Sequence, residues 1–185
     1  MSDAFFSALA VRFRELEQPL NALDAATGDG DHGAAMRRGL EAVAEAKPGA
    51  AAQAFRGAAG GASGALFGAL IGGIEAALEG RQDLPSALER SAAQIARLGM
   101  AKRGDKTMLD ALIPAAEAAG AVQGGDTERA AAGAAREGAA STAAMTARRG
   151  RARYVENGGV GHQDAGARSV AEILAEYERF SRKHR

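Results

Sequence analysis

The stretch GAAGGASGALFGALIGGI, residues 57–74, carries no charged residue. Read as a membrane span, it would put this chain in a bilayer. Its content is mostly Gly, Ala and Ser, which gain too little on leaving water for lipid. Read as part of a water-facing fold, it is two helices meeting at Gly60-Gly61, one over Ala50 to Ala59 and one over Ser63 to Leu78. The second reading is the stronger. It makes small side chains the packing material and predicts helices that approach closely.

The rest of the chain supports that choice. Its 185 residues suit one domain, 1–185, with a substantial core. Hydrophobic residues make up 46% and aromatics only 4%, so Ala, Leu, Val, Ile and Met must build that core. Runs of β-branched residues are missing, and helix-period patterning recurs almost throughout. Further helices are predicted over Ser2 to Glu17, Asp31 to Ala46, Leu84 to Gly99, Lys106 to Ala118, Asp126 to Arg148 and Gly166 to Phe180. Pro19 opens a short extra turn ending near Ala25. The expected fold class is all-α: an antiparallel bundle or barrel of about eight helices with short links. Net formal charge is zero, which argues against nucleic acid or an anionic membrane as partner. The first residues place an acid before the apolar run and arginines within it, unlike a secretory signal, so a cytoplasmic location is expected. There is no cysteine, which excludes disulfides and thiolate metal sites.

Chemistry is concentrated in Asp24-Ala-Ala-Thr-Gly28-Asp29-Gly30-Asp31-His32-Gly33. Asp29 and Asp31 leave the same face of an extended loop, and Asp24 can close a triangle. Three carboxylates without His or Cys form a hard oxygen site, suited to Mg²⁺ or Ca²⁺. An EF-hand fails, because a loop opened by Asp29 has Leu40 at its twelfth position, and one opened by Asp24 has Ala35. Magnesium usually shares its shell with substrate phosphates. Anion donors are expected at the helix starts His32-Gly33-Ala34-Ala35 and Gly61-Ala-Ser63-Gly64, with Arg151 adding charge. The competing reading makes Asp29 and Asp31 ordinary turn and N-cap residues. Gly99-Met-Ala-Lys-Arg-Gly104-Asp105-Lys106-Thr107 approaches a P-loop, but Asp105 separates glycine from lysine and no buried strand precedes it. Lys106 then reads as a cation at a helix start.

Five segments together resemble the nucleotide-binding L subunit of dihydroxyacetone kinase, the DhaL family. They are Asp24 to Gly33, Gly60 to Leu66, Gly104 to Asp110, Gly150-Arg151-Ala152 and Gly161 to Gly166, in the family's order between about residues 20 and 170. The resemblance implies a barrel of eight helices holding ADP or ATP and two Mg²⁺ ions at one end. It implies Asp24, Asp29 and Asp31 as catalytic metal ligands. It further implies His32, Gly33, Ala34, Ala35, Ser63 and Gly64 at the phosphates, and Gly99 and Met108 beside the adenine. Arg151 with Asp164, Ala165 and Gly166 would complete the pocket. The chain departs from the family pattern at Ala34-Ala35, where Thr-Asn is common, and at Ala165, where proline is usual. Residues 153–159 are also atypical.

The implied activity is phosphoryl transfer from Mg-bound nucleotide to dihydroxyacetone on a separate K-type subunit. A phosphohistidine-carrying M-type subunit would recharge the ADP from phosphoenolpyruvate. The alternatives are a related ATP-dependent kinase for a four-carbon ketose such as erythrulose, and a non-catalytic ADP-binding regulatory module.

Overall fold

The computed structural model describes residues 2–122 and 126–184. Nine α-helices occur among them, and no strand. They are α1 (Ser2–Glu15), α2 (Glu17–Ala25), α3 (His32–Ala44), α4 (Ala51–Ala59), α5 (Gly61–Leu78), α6 (Leu84–Gly99), α7 (Leu109–Ala121), α8 (Thr127–Ser141) and α9 (Ala165–Lys183). From α3 onward each helix packs on the next, and α9 returns to α1 and α2, which pack on α3. The ring closes. From α3 to α8 the links between touching neighbours are short, as in an up-and-down bundle.

The apolar faces meet inside this ring. Phe5, Leu9 and Phe13 of α1 join Met36 and Leu40 of α3, Phe55 of α4, and Leu70, Ile71 and Ile74 of α5. By length and composition alone α5 could cross a membrane, yet half of it is buried against its neighbours. The α7–α8 seam is built on alanine. Ala111, Ala115 and Ala119 on one side and Ala131, Ala135 and Ala139 on the other recur every four residues, and all are fully buried. Pro114 cannot donate to the Asp110 carbonyl one turn back. Gly138 of α8 lies against that carbonyl, where a Cβ would come within 2.2 Å of the oxygen.

Two predicted boundaries are corrected. The helix expected from Lys106 begins at Leu109, because Lys106 adopts φ +61°, outside the right-handed helical region. The helix expected to reach Arg148 stops at Ser141, followed by a 3₁₀ turn over Thr142–Ala144. The Thr142 carbonyl closes that turn by accepting from the Met145 N–H at 3.1 Å, and the carbonyls of Thr142 and Met145 also accept from the Lys106 ammonium, at 2.9 and 3.1 Å. A long segment, 145–164, thus crosses the open end of the ring.

Candidate functional site: an acid triad at the mouth of a cavity

The segment between α2 and α3 is folded around Asp24. Its Oδ2 accepts from the backbone N–H groups of Gly30 (2.9 Å), Asp31 (3.1 Å) and His32 (3.4 Å). That wrapping demands glycine twice. A Cβ at Gly28 would lie 2.4 Å from Asp24 Oδ1, and Gly30 sits at φ +78°. The turn carries Asp29 and Asp31 round to Asp24, so that one carboxylate oxygen of each lies within 4.8 Å of the others. Asp31 occupies the N-cap position of α3 but makes no capping bond with its side chain. The ordinary N-cap explanation therefore leaves its carboxylate unexplained. Asp29 is paired with the guanidinium of Arg151 from the crossing segment. Three hard oxygen donors this close, two of them on exposed side chains, fit Mg²⁺ in chemistry and spacing.

The triad rims a cavity of about 540 Å³, within the range of small-molecule sites. Its polar lining is formed by the acids, Thr27, His32, Ser63, Lys106, Thr107, Arg149, Arg151 and Asp164. Its apolar lining comes from Leu66 and Phe67 of α5, Ile95 of α6, and Met108 and Leu109 where α7 begins. Met108 is only 5% exposed, so it is both core and cavity wall. Asp164 caps α9 through a 2.7 Å bond from the Ala167 N–H. Burial pushes its carboxyl up to about 6, opposed by that Ala167 bond; the charge of Asp110 adds to the rise, Lys106 opposes it, and Asp24 adds a little more.

Of the residues expected in the pocket, Asp24, Asp29, Asp31, His32, Ala35, Ser63, Gly99, Met108, Arg151, Asp164, Ala165 and Gly166 all line the cavity. Gly33, Ala34 and Gly64 do not. Gly33 is pressed against α2, the Ala34 N–H donates to Asn21 Oδ1 at 3.1 Å, and the Gly64 N–H donates to the Gly60 carbonyl at 2.7 Å. The start of α3 thus spends the His32 and Ala34 N–H groups within the protein, on Asp24 and Asn21. His32 also differs from a surface helix-start donor. Its ring is buried, with Nε2 2.8 Å from Ser169 Oγ and the ring packed on Phe67.

Burial lowers the His32 pKa to about 4, against the opposing charge of Asp24 and a backbone bond to Ala165. The unfolded chain takes up that proton first, so this group withdraws stability as pH falls from about 6.5 towards about 4. Imidazole nitrogen shifts followed by NMR should therefore show a neutral ring at pH 6 in the metal-free protein. A midpoint at the ordinary histidine value would contradict the buried placement.

Sequence reasoning missed Phe67, Ile95 and Thr27, which carry no motif signal, and it misjudged Lys106. That lysine is 2% exposed. Asp110 is buried as well. Its two oxygens accept from the N–H groups of Gly104 (2.5 Å) and Thr107 (2.8 Å), holding the Gly104–Met108 loop against the cavity.

The family model described as the DAK2 domain matches residues 26–179. The chain belongs to the DAK2 domain family. Among characterised relatives, the L-erythrulose 1-kinase of Mycolicibacterium smegmatis is 41% identical over 182 residues, covering 85% of this chain and 31% of that protein. The ADP-binding subunit DhaL of the phosphoenolpyruvate-dependent dihydroxyacetone kinase of Escherichia coli is 34% identical, with 84% of each chain covered. Among solved structures, the dihydroxyacetone kinase from C. freundii in complex with AMP-PNP and Mg²⁺ superposes with a TM-score of 0.74 at 26% identity, over 96% of this chain and 33% of that one. The DAK2 chain therefore spans about a third of the erythrulose kinase and of the C. freundii enzyme, and most of the E. coli subunit. The all-helical architecture matches the DAK2 fold of the C. freundii dihydroxyacetone kinase.

Proposed function

We propose that this chain is the nucleotide-carrying part of a kinase for short-chain ketoses. It would transfer a phosphoryl group from Mg-bound ATP, or recharged ADP, to a ketose presented by a K-type partner. One observation carries this reading: three carboxylates converge at a cavity that is also lined by the apolar Leu66, Phe67, Ile95 and Met108. A nucleotide has that polarity, anionic at one end and flat and apolar at the other.

Phosphoryl transfer needs positioning and charge compensation more than covalent chemistry from the protein. Two Mg²⁺ ions in this proposal would supply charge compensation for the terminal phosphoryl group. Asp24, Asp29 and Asp31 would hold them. Arg151, released from Asp29, would donate charge-assisted bonds to the phosphates, and Ser63 adds a hydroxyl at the start of α5. Leu66, Phe67, Ile95 and Met108 would exclude water around the base, with Gly99 at the edge. The nearby Ala165-Gly166 backbone closes the floor beside Asp164.

Dihydroxyacetone with a phosphoenolpyruvate relay through an M-type subunit is one form of this reading, supported by the E. coli relative over nearly its whole length. A four-carbon ketose with exchange of ATP is the other, favoured by the higher identity to the erythrulose kinase. The deciding experiment reconstitutes the chain with its K-type partner and follows phosphorylation of three- and four-carbon ketoses, with ATP or with the phosphoenolpyruvate relay. Phosphorylated ketose that requires this chain supports the proposal, and the donor and sugar select its form. Nucleotide binding without any ketose phosphate formed would leave a regulatory ADP-binding module and defeat the kinase reading.

A further inference from the structure

Lys106 is the most deeply buried cation among the described residues, and no carboxylate lies within ion-pair distance of it there. Its partners are all backbone carbonyls: Thr142 (2.9 Å), Met145 (3.1 Å), Gly159 (2.7 Å) and His162 (2.7 Å). An ammonium has three protons, so four acceptors at these distances share them in the manner of ligands around a spherical cation. Carbonyl oxygens aimed at one point repel unless a positive charge occupies it. These four come from both ends of the 142–164 segment, which also carries the cavity-lining Arg149 and Arg151.

Other bonds pull the same segment together. The Gly161 N–H donates to the Ala143 carbonyl (2.8 Å), the Ala147 N–H to the Gly158 carbonyl (2.9 Å), and the Asp164 N–H to Thr142 Oγ1 (2.9 Å). All depend on the two ends being side by side. The lysine reaches that point through a left-handed backbone, φ +61°, locked on its far side by the Thr107 N–H bond to Asp110. Such a conformation in a non-glycine residue persists where its surroundings enforce it.

We propose that Lys106 is a built-in monovalent cation. Its ammonium gathers the four carbonyls, and so holds the crossing segment with Arg151 over the acid triad, making it a positioning residue for the nucleotide. The part concerning nucleotide rests on the function proposed above; the carbonyl cluster itself does not.

Lys106→Ala removes a propylammonium-sized piece and supplies the test. With the segment loosened, MgADP should bind about a hundredfold more weakly, the scale expected when a contact group is misplaced. Added propylammonium should restore both the affinity and the nucleotide-free melting temperature of this variant. Propanol, of similar shape but uncharged, should restore neither, and wild type should respond to neither. Lys106→Ala combined with Arg151→Ala should bind no more weakly than Arg151→Ala alone.

Equal rescue by propanol, or no rescue by either compound, overturns the proposal, as does unchanged affinity in Lys106→Ala. Should that variant not fold, the wild-type protein decides: its Lys106 ammonium should give a slowly exchanging NH₃⁺ signal by NMR, and a rapidly exchanging one overturns the proposal. Wild type that fails to bind MgADP would sink the function reading instead, while the propylammonium-dependent melting of Lys106→Ala would still report the carbonyl cluster.

Discussion

Asp29→Ala is expected to lose about a thousandfold or more of the phosphoryl-transfer activity while keeping the helical fold. The loss follows from what the carboxylate is asked to do. Metal-borne charge compensation at a transferring phosphoryl is worth several kcal/mol, and about 4 kcal/mol is already a thousandfold in rate. The fold is spared because Asp29 is exposed and its one ion pair, to Arg151, is exposed as well. Pairs of that kind contribute about 1 kcal/mol or less to stability. Asp29→Asn keeps the shape, removes the charge, and should fall almost as far. Activity of either variant near the wild-type level, in the assay with the K-type partner, would contradict the assignment.

Gly33→Ala should do the opposite: it damages the structure and reaches the site through it. Gly33 belongs to the Asp-His-Gly run that suggests a phosphate contact, yet it does not line the cavity. A methyl group there would sit 2.1 Å from the Glu17 carbonyl oxygen and 2.9 Å from Asn21 Oδ1. The first obstacle is backbone and cannot swing aside, so α2 and α3 must separate. Overpacking of this kind costs about 3 kcal/mol at the upper end of its usual range. For a chain of this size that lowers the melting temperature by roughly 6–12 °C. Separation would also pull Asn21 from the Ala34 N–H and shift Asp24 relative to Asp31. MgADP affinity should fall with stability. A Gly33→Ala protein that melts with wild type would show that the glycine is kept for some reason other than the α2–α3 contact.

These two residues show where the sequence was readable and where it was not. The acids were legible because like charges between glycines have no packing explanation, and the structure draws one oxygen of each into a small cluster. The helical class was legible from period and composition, and even the break at Gly60 lies between α4 and α5 as expected. Gly33 was not legible: close contact with another helix and close approach to a phosphate both call for glycine, and only tertiary structure separates them. Lys106 failed for a related reason. Local patterning makes it a solvated cation at a helix start, and nothing nearby in sequence announces carbonyls 36 to 56 residues away. The helix expected to reach Arg148 also ended early, at Ser141. Alanine-rich propensity ran on past that point, through a 3₁₀ turn whose Thr142 carbonyl accepts from both the Met145 N–H and the Lys106 ammonium.

The central claim is that the acid triad grips nucleotide only through magnesium. Calorimetric titration of ADP into the wild-type chain, once with Mg²⁺ and once with EDTA, tests it most directly. The account predicts that Mg²⁺ tightens binding by about a hundredfold or more, since unscreened carboxylates repel a bare diphosphate. Equal ADP affinity in the two titrations would contradict it.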